Sequence, residues 1–342
     1  VNVELRRQPW TCRVGSSSGV LMSVRRIDPK PPLHPLAIDA GSDDFLRGDP
    51  LDGKRYYSRE FMQREWDDMW TKVWHIAGRV TQLREAGDYI VHDFMHESVI
   101  VVMHEDGSLR AFYNVCGHRG QRLAWGDGHQ PSFTCPYHGW VWGTDGELRQ
   151  VPDPDDFPQG NPCGKVRLVE LPVDTWAGFI WYSMDPGAPT LAEFLHPWPE
   201  LYRNHATEDM VRVVWLQVDL ETNWKFAPDN FSESYHVRTA HPQVPAVIDQ
   251  DHYNCRNEVY PSGHNRIMQL VRPSLRDRIP DGQPHPFDAQ LRQWNIDPDR
   301  YPDYETKVEQ GWRDLAEAKV RLGPSQGHPH YAQLTEQDFL YS

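Results

Sequence analysis

The chain has 342 residues, enough for about two domains. Its 49 Asp and Glu outnumber 35 Lys and Arg, and the net charge of −14 argues against a nucleic-acid binder, which needs basic patches for phosphate. The five cysteines (Cys12, Cys116, Cys135, Cys163 and Cys255) are odd in number and scattered, which fits a reducing cytosol rather than a disulfide framework. No apolar run approaches a membrane helix and no export signal is read, so a cytoplasmic protein without membrane contact is expected.

Residues 1–50 contain a cluster of prolines followed by a polar Gly/Asp/Ser stretch. They predict a loosely organised arm, either disordered or lying upstream of the true start. Ser58 is a plausible N-cap for a helix whose apolar stripe is Met62, Trp66, Met69, Trp70, Val73 and Trp74, read as core packing. From about Val80 to Met184 the pattern turns to strands: DYIVHDF, ESVIVVMHEDGSLRAFYNV, VRLVELPV and WAGFIWYSM. Asp106-Gly107 and Asp145-Gly146 mark turns between them. The Pro-rich run 185–200 reads as a connection. VRVVWLQVDL (211–220) alternates as a strand, and a helix is expected to start near Pro228 or Asp229. Residues 272–302 read as a long surface loop. Residues 304–322 read as a helix with Val308, Trp312, Leu315 and Val320 inward, stopped by Gly323-Pro324.

Four residues stand out within the β-rich region: Cys116, His118, Cys135 and His138. The spacing is Cys-x-His, sixteen residues, then Cys-x-x-His. Two thiolates and two imidazoles in paired loops form the ligand set of a Rieske [2Fe–2S] centre, in which two His replace two Cys on one iron. A structural zinc site uses the same donor types at close spacing and is the alternative. Zinc fingers usually keep their Cys pair and their His pair separate. Here each loop offers one of each, which suits a two-iron cluster with unlike ends.

A second pair, His236 and His241, is five residues apart, about 140° around a continuous helix. Pro242 pushes its predecessor out of the helical region, so the helix is expected to end near Ala240 and let His241 swing back. Two imidazoles plus a carboxylate make the facial triad of non-haem Fe(II) oxygenases, with positions left open for O2 and substrate. The bland alternative is two ordinary His beside a helix end. Glu233 lies one turn before His236 and can fix its tautomer, with Asp229 the weaker candidate. Trp224 and Tyr235 read as core or pocket lining, core being favoured.

The motifs CGHRG, CPYHGW and NWKFAPDNFSESYHVRTAHP resemble the alpha (catalytic) subunit of Rieske non-haem iron ring-hydroxylating oxygenases, from about residue 40 onward. Arg119, Gly120, Pro136, Tyr137, Gly139 and Trp140 match the usual Rieske loops. The resemblance implies an α+β chain. Residues 1–50 would be an arm, 51–190 a helix plus Rieske domain, and 191–342 a catalytic domain with a curved antiparallel sheet under helices. It implies Cys116 and Cys135 on one cluster iron, His118 and His138 on the other, and His236 and His241 on a mononuclear Fe(II). It also implies Glu233 as the acidic bridge for electrons from a neighbouring subunit. The reaction implied is O2-dependent mono- or dioxygenation of a small organic substrate, with aromatic hydroxylation foremost and attack on a methylated amine as the alternative. Electrons would come from NADH or NADPH through a reductase, with or without a ferredoxin, to a homotrimer or an assembly with beta subunits. A purely electron-carrying Rieske ferredoxin and an inactive homologue are the competing classes. The family's third iron ligand, an Asp, lies further along than the 101 residues after His241 allow. An incomplete C-terminus is therefore expected, with Asp338 as the local substitute.

Overall fold

The computed structural model describes residues 33–39, 49–203, 205–249, 251, 254–275 and 285–322. The first strand, β1 (Ile38–Asp39), precedes two helical turns, α1 (Lys54–Tyr57) and α2 (Arg59–Glu65). Ser58 caps α2 as anticipated, its hydroxyl accepting from Phe61 N at 3.2 Å. The helix widens into a π turn over Trp66–Trp70 and stops there. This breaks the expected apolar stripe: Trp66 is buried, Met62 is exposed, and Trp74 opens the next strand.

Eleven strands then build the β region: β2 (Trp74–Arg79), β3 (Asp88–Phe94), β4 (Glu97–Met103), β5 (Leu109–Tyr113), β6 (Gly128–His129), β7 (Ser132–Thr134), β8 (Val141–Gly143), β9 (Leu148–Gln150), β10 (Glu170–Leu171), β11 (Val173–Trp176) and β12 (Phe179–Ser183). They form three antiparallel sheets in the orders β10-β5-β4-β3-β6, β11-β12-β2 and β7-β8-β9. Strand β4 explains why ESVIVVM shows an unbroken apolar run. Side chains alternate across a strand. Ile100 and Val102 enter one core with Phe112, Phe133 and Trp142, while Val99 and Val101 enter another with Ile90, Ile180 and Tyr182. A strand buried on both faces carries no polar alternation. The first core continues into the loops that hold Cys116 and Cys135.

The Pro-rich connection folds more than its composition implied. Thr190 and Glu193 form a reciprocal capping box on α3 (Leu191–Leu195), and α4 (Trp198–Leu201) follows. Residues 211–220, read as a strand, form neither strand nor helix, and Leu216 is 87% exposed. Alternation signals a half-buried strand, but a strand is completed by pairing with a neighbour, and the described residues supply none. Beyond lie α5 (Phe226–Phe231), α6 (Val237–Ala240), β13 (Arg256–Val259), β14 (Asn265–Met268), α7 (Pro286–Gln293) and α8 (Tyr304–Leu322). Helix α7 falls inside the stretch read as a plain loop. Pro286 at its first turn has the backbone angle a helix start needs and lacks an N–H that would go unused there. Helix α8 buries Val308, Trp312 and Leu315 as expected, but Val320 stays exposed. The Gly323-Pro324 stop lies outside the described residues.

The N-terminal arm also departs from expectation. Ile38 and Asp39 pair antiparallel with Val259 and Glu258, making the sheet β1-β13-β14, and His34 N donates to Glu258 Oε1 at 2.7 Å. Ile38 and Asp39 of the arm therefore belong to a sheet of the second half. Further ties cross between the halves. Lys225 Nζ meets Glu65 Oε1 at 2.6 Å with both side chains nearly buried, and Trp224 packs on Trp70 with centroids 4.8 Å apart. Arg79 stacks on Phe179 and donates to the carbonyls of Thr207 and Met210 at 3.1 and 2.6 Å. No helix among the described residues is long and apolar enough to cross a membrane.

Candidate metal centres

Cys116 and Cys135 begin two loops of the same construction. Cys116 N donates to Gln121 O at 2.7 Å, and Gly120 N donates back to Cys116 O at 3.0 Å. In the second loop Cys135 N donates to Trp140 O at 2.7 Å, and Gly139 N to Cys135 O at 2.9 Å. Gly120 and Gly139 both sit at φ near +70°, which a residue with a Cβ adopts at a cost. These two glycines let each loop reverse so that a Cys and a His project the same way.

The sulfurs lie inside and the imidazoles outside. Cys116 and Cys135 are 1% and 2% exposed, while His118 is exposed and His138 half-buried, with ring centroids 4.8 Å apart. Trp140 stacks flat on His118 at 4.6 Å, and Tyr137 lies 3.8 Å from His138. Burial pushes the Cys116 thiol up. Desolvation, then the neighbouring His138 and Arg119, lower His118, which favours the neutral imidazole that ligation requires. His138 Nδ1 is buried and has no hydrogen-bond partner. A buried ring nitrogen without a partner suits an electrophile, and the donor set fits a [2Fe–2S] cluster. Among the described residues no three of the four donor atoms converge within 4.8 Å of one another, as the ligands of one tetrahedral ion must. This disfavours the zinc alternative.

The second pair also comes together. His236 precedes the short helix α6 and His241 ends it, with ring centroids 5.5 Å apart at 77°. The helix stops where Pro242 required. However, Glu233 and His236 do not share a helix, because α5 ends at Phe231 and a turn intervenes. Their contact survives for a different reason. Glu233 Oε2 accepts from the backbone N–H of Tyr235 and, at 3.2 Å, of His236, which brings Oε1 onto His236 Nδ1. The carboxylate thereby caps the turn and orients the ring, leaving Nε2 as the atom for a metal. Asp229 faces elsewhere and accepts from Tyr56 OH at 2.9 Å. Trp224 packs at the contact between the halves, and Tyr235 is 85% exposed rather than core. Two imidazoles of this geometry fit an Fe(II) site in part. Among the described residues no carboxylate completes a three-donor cluster with them, and Asp338 lies outside those residues.

The sequence reading missed Glu65, Lys225, Arg79 and Trp142. Lys225 stands in the NWK motif, which was its only signal. Glu65 and Arg79 carried none, because their partners lie far away in sequence. Trp142 looked like ordinary strand core.

The Rieske [2Fe-2S] domain model matches residues 73–170, and the catalytic-domain model of the ring hydroxylating alpha subunit matches residues 207–338. The carnitine monooxygenase oxygenase subunit of Escherichia coli is 30% identical over 207 residues, 58% of this chain and 54% of that protein. The chloroplastic choline monooxygenase of Atriplex hortensis is 32% identical over 204 residues, 58% of this chain and 46% of its own length. The chain thus spans about half the length of these relatives. A solved quaternary ammonium Rieske monooxygenase superposes with a TM-score of 0.56 at 27% identity, over 66% of this chain and 61% of that one. The two models meet this chain in the order its fold sets out, cluster-bearing β domain first, and the chain belongs to the Rieske oxygenase alpha subunits.

Proposed function

We propose that the chain is the oxygenase component of an O2-dependent, NADH- or NADPH-driven system that oxidises a small organic substrate at a mononuclear Fe(II). The observation that carries this reading is the presence, on one chain, of paired Cys/His loops with an unpartnered His138 Nδ1 and of a His236–His241 pair oriented by Glu233. When bound, the cluster supplies one-electron transfer and the iron supplies O2 activation; the protein contributes position and electrostatics.

Each side chain then has a defined task. Cys116 and Cys135 hold the buried end of the cluster. His118 and His138 hold its solvent edge, where an electron donor can approach. Glu233 keeps the proton of His236 on Nδ1, so that Nε2 faces the metal as a neutral donor. Its charge-assisted contact also makes Glu233 the bridge over which electrons enter from a neighbouring subunit. The third iron ligand is not assigned. The partners of this reading are a reductase, with or without a ferredoxin, and further copies of the chain as a homotrimer or with beta subunits. Cys116, Cys135 and Cys163 carry free thiols, as a reducing cytoplasm keeps them.

Two substrate classes compete. An aromatic ring was the first expectation, and a methylated or quaternary amine was the alternative. Relatives named for carnitine and choline favour the amine. The test is metal content, the EPR of the reduced protein and NADH-dependent product formation with a compatible reductase, on panels of quaternary amines and aromatic hydrocarbons. The expected result is a Rieske spectrum, more than two iron per chain and turnover within the amine panel. Two iron per chain without turnover would reduce the chain to an electron carrier. Turnover confined to arenes would restore the aromatic reading.

A further inference from the structure

Two polar atoms in the cluster loops and the strand beside them are buried without a partner: His138 Nδ1 and Trp142 Nε1. The first is an acceptor, accounted for above as a ligand atom. The second is a donor, and an indole N–H binds no metal. Buried polar groups in native proteins are nearly always paired, so an orphan asks for its acceptor. Trp142 lies in β8, seven residues after the loop starts at Cys135, and is fully buried in the core that also contains Cys116. Its ring lies over the first loop: a Cβ built on Gly117 would stand 3.3 Å from Cη2 and 3.7 Å from Cζ2. This puts the Cζ2 edge, beside which Nε1 sits, against the Cys116–Gly117 turn. The carbonyl of Cys116 in that turn already receives Gly120 N. The Cys116 sulfur, buried in the same core beside that turn, is the acceptor this placement offers the indole N–H. A neutral thiol accepts weakly, whereas a metal-bound thiolate accepts well and gains negative charge on reduction.

We propose that Trp142 is a tuning residue: its buried indole N–H donates to Cys116 Sγ in the loaded protein and raises the potential at which the cluster takes up its electron. This rests on the cluster assignment above. One electron enters from the donor, no bond to carbon forms or breaks, and Trp142 keeps its proton throughout. A hydrogen bond that strengthens as charge accumulates stabilises the reduced form more than the oxidised one, so its loss lowers the potential.

The experiment is a mediated redox titration of the full chain, followed by EPR of the reduced cluster, for the parent and two variants. One is Trp142→Phe. The other replaces Trp142 by benzothienylalanine, which keeps the bicyclic shape and puts sulfur in place of the N–H. Both are expected to load a cluster and to reduce about tenfold less favourably, a fall of about 59 mV for a one-electron couple. A benzothienylalanine protein within twofold of the parent's reduction equilibrium overturns the proposal, even if Trp142→Phe shifts, because packing alone would then explain the shift. If Trp142→Phe fails to fold, the isosteric replacement decides. A parent that shows no Rieske spectrum overturns the cluster assignment itself, a separate failure visible before any variant is titrated.

Discussion

His138 Nδ1 and Glu233 Oε1 show two uses of a single polar atom. The nitrogen is buried and unpartnered, and is accounted for only by a ligand. The oxygen is spent on holding another ring still. The two centres draw on separate segments, so they should fail separately. His138→Ala is expected to abolish the visible absorption of the cluster. His236→Ala is expected to leave that absorption intact while removing the non-sulfide iron and all product. Absorption spectra beside iron and sulfide analysis check both, and loss of the cluster in the second variant would contradict the separation. The proposed metal donors were legible as candidates because ligand spacing is local: a Cys and a His two or three residues apart lie in one turn. Glu233 was legible in its partner but not in its mechanism, since the expected helix face is a backbone-capped turn. Trp142 was illegible, because a tryptophan in a strand reads the same whether or not its N–H has an acceptor.

At the scale of elements, α2 is what joins the halves. Glu65 at its end meets Lys225 beside α5, and both side chains are nearly out of water. Removing one partner strands the other charge. Glu65→Gln is therefore expected to cost about 3 kcal/mol in urea unfolding, at the low end for buried pairs because both ions keep a little solvent. A change below about 1 kcal/mol would class the pair with surface bridges. The β region carries its own pH sensitivity. Burial lowers His75 in β2, and burial, then the charge of His75, lowers His92 in β3. Below the ordinary imidazole value of 6.5 the unfolded chain binds protons that the folded chain resists, so stability falls as pH drops through that value and continues to fall below it. The urea midpoint is expected to decline from about pH 7 to about pH 5, and a His75→Gln, His92→Gln double variant should decline less. Equal slopes would assign the effect to carboxylates. The strands were legible because their apolar pattern and turn glycines are local signals. The unpaired run 211–220 was not, because a strand is completed by its neighbour.

At the scale of the whole molecule, that run is the largest conflict between pattern and environment. Val211, Val213, Val214, Trp215, Leu216, Val218 and Leu220 are all exposed in a run without secondary structure. A stretch of high β-propensity without Pro is a template for edge-to-edge association. The chain as given is expected to bind an apolar dye and to associate open-endedly with concentration in light scattering, despite its net charge of −14. A Val213→Lys, Leu216→Lys double variant should lower both signals. A parent that is dye-silent and scatters as a closed particle at all concentrations would show that the run is covered in solution.

The pairing of β1 with β13 has a consequence for the order in which the molecule is made. His34 reaches an acceptor 224 residues further along. At ordinary synthesis rates, roughly 10 to 45 s separate the appearance of the two partners at the ribosome. The β domain emerges whole within that interval, and its hairpins are local enough to close without waiting. The first strand must stay unpaired beside it until the second half arrives. The second half thus forms after the β domain and closes around a strand made before it, so a chaperone that guards nascent strands would have its substrate in the early segment around Ile38–Asp39.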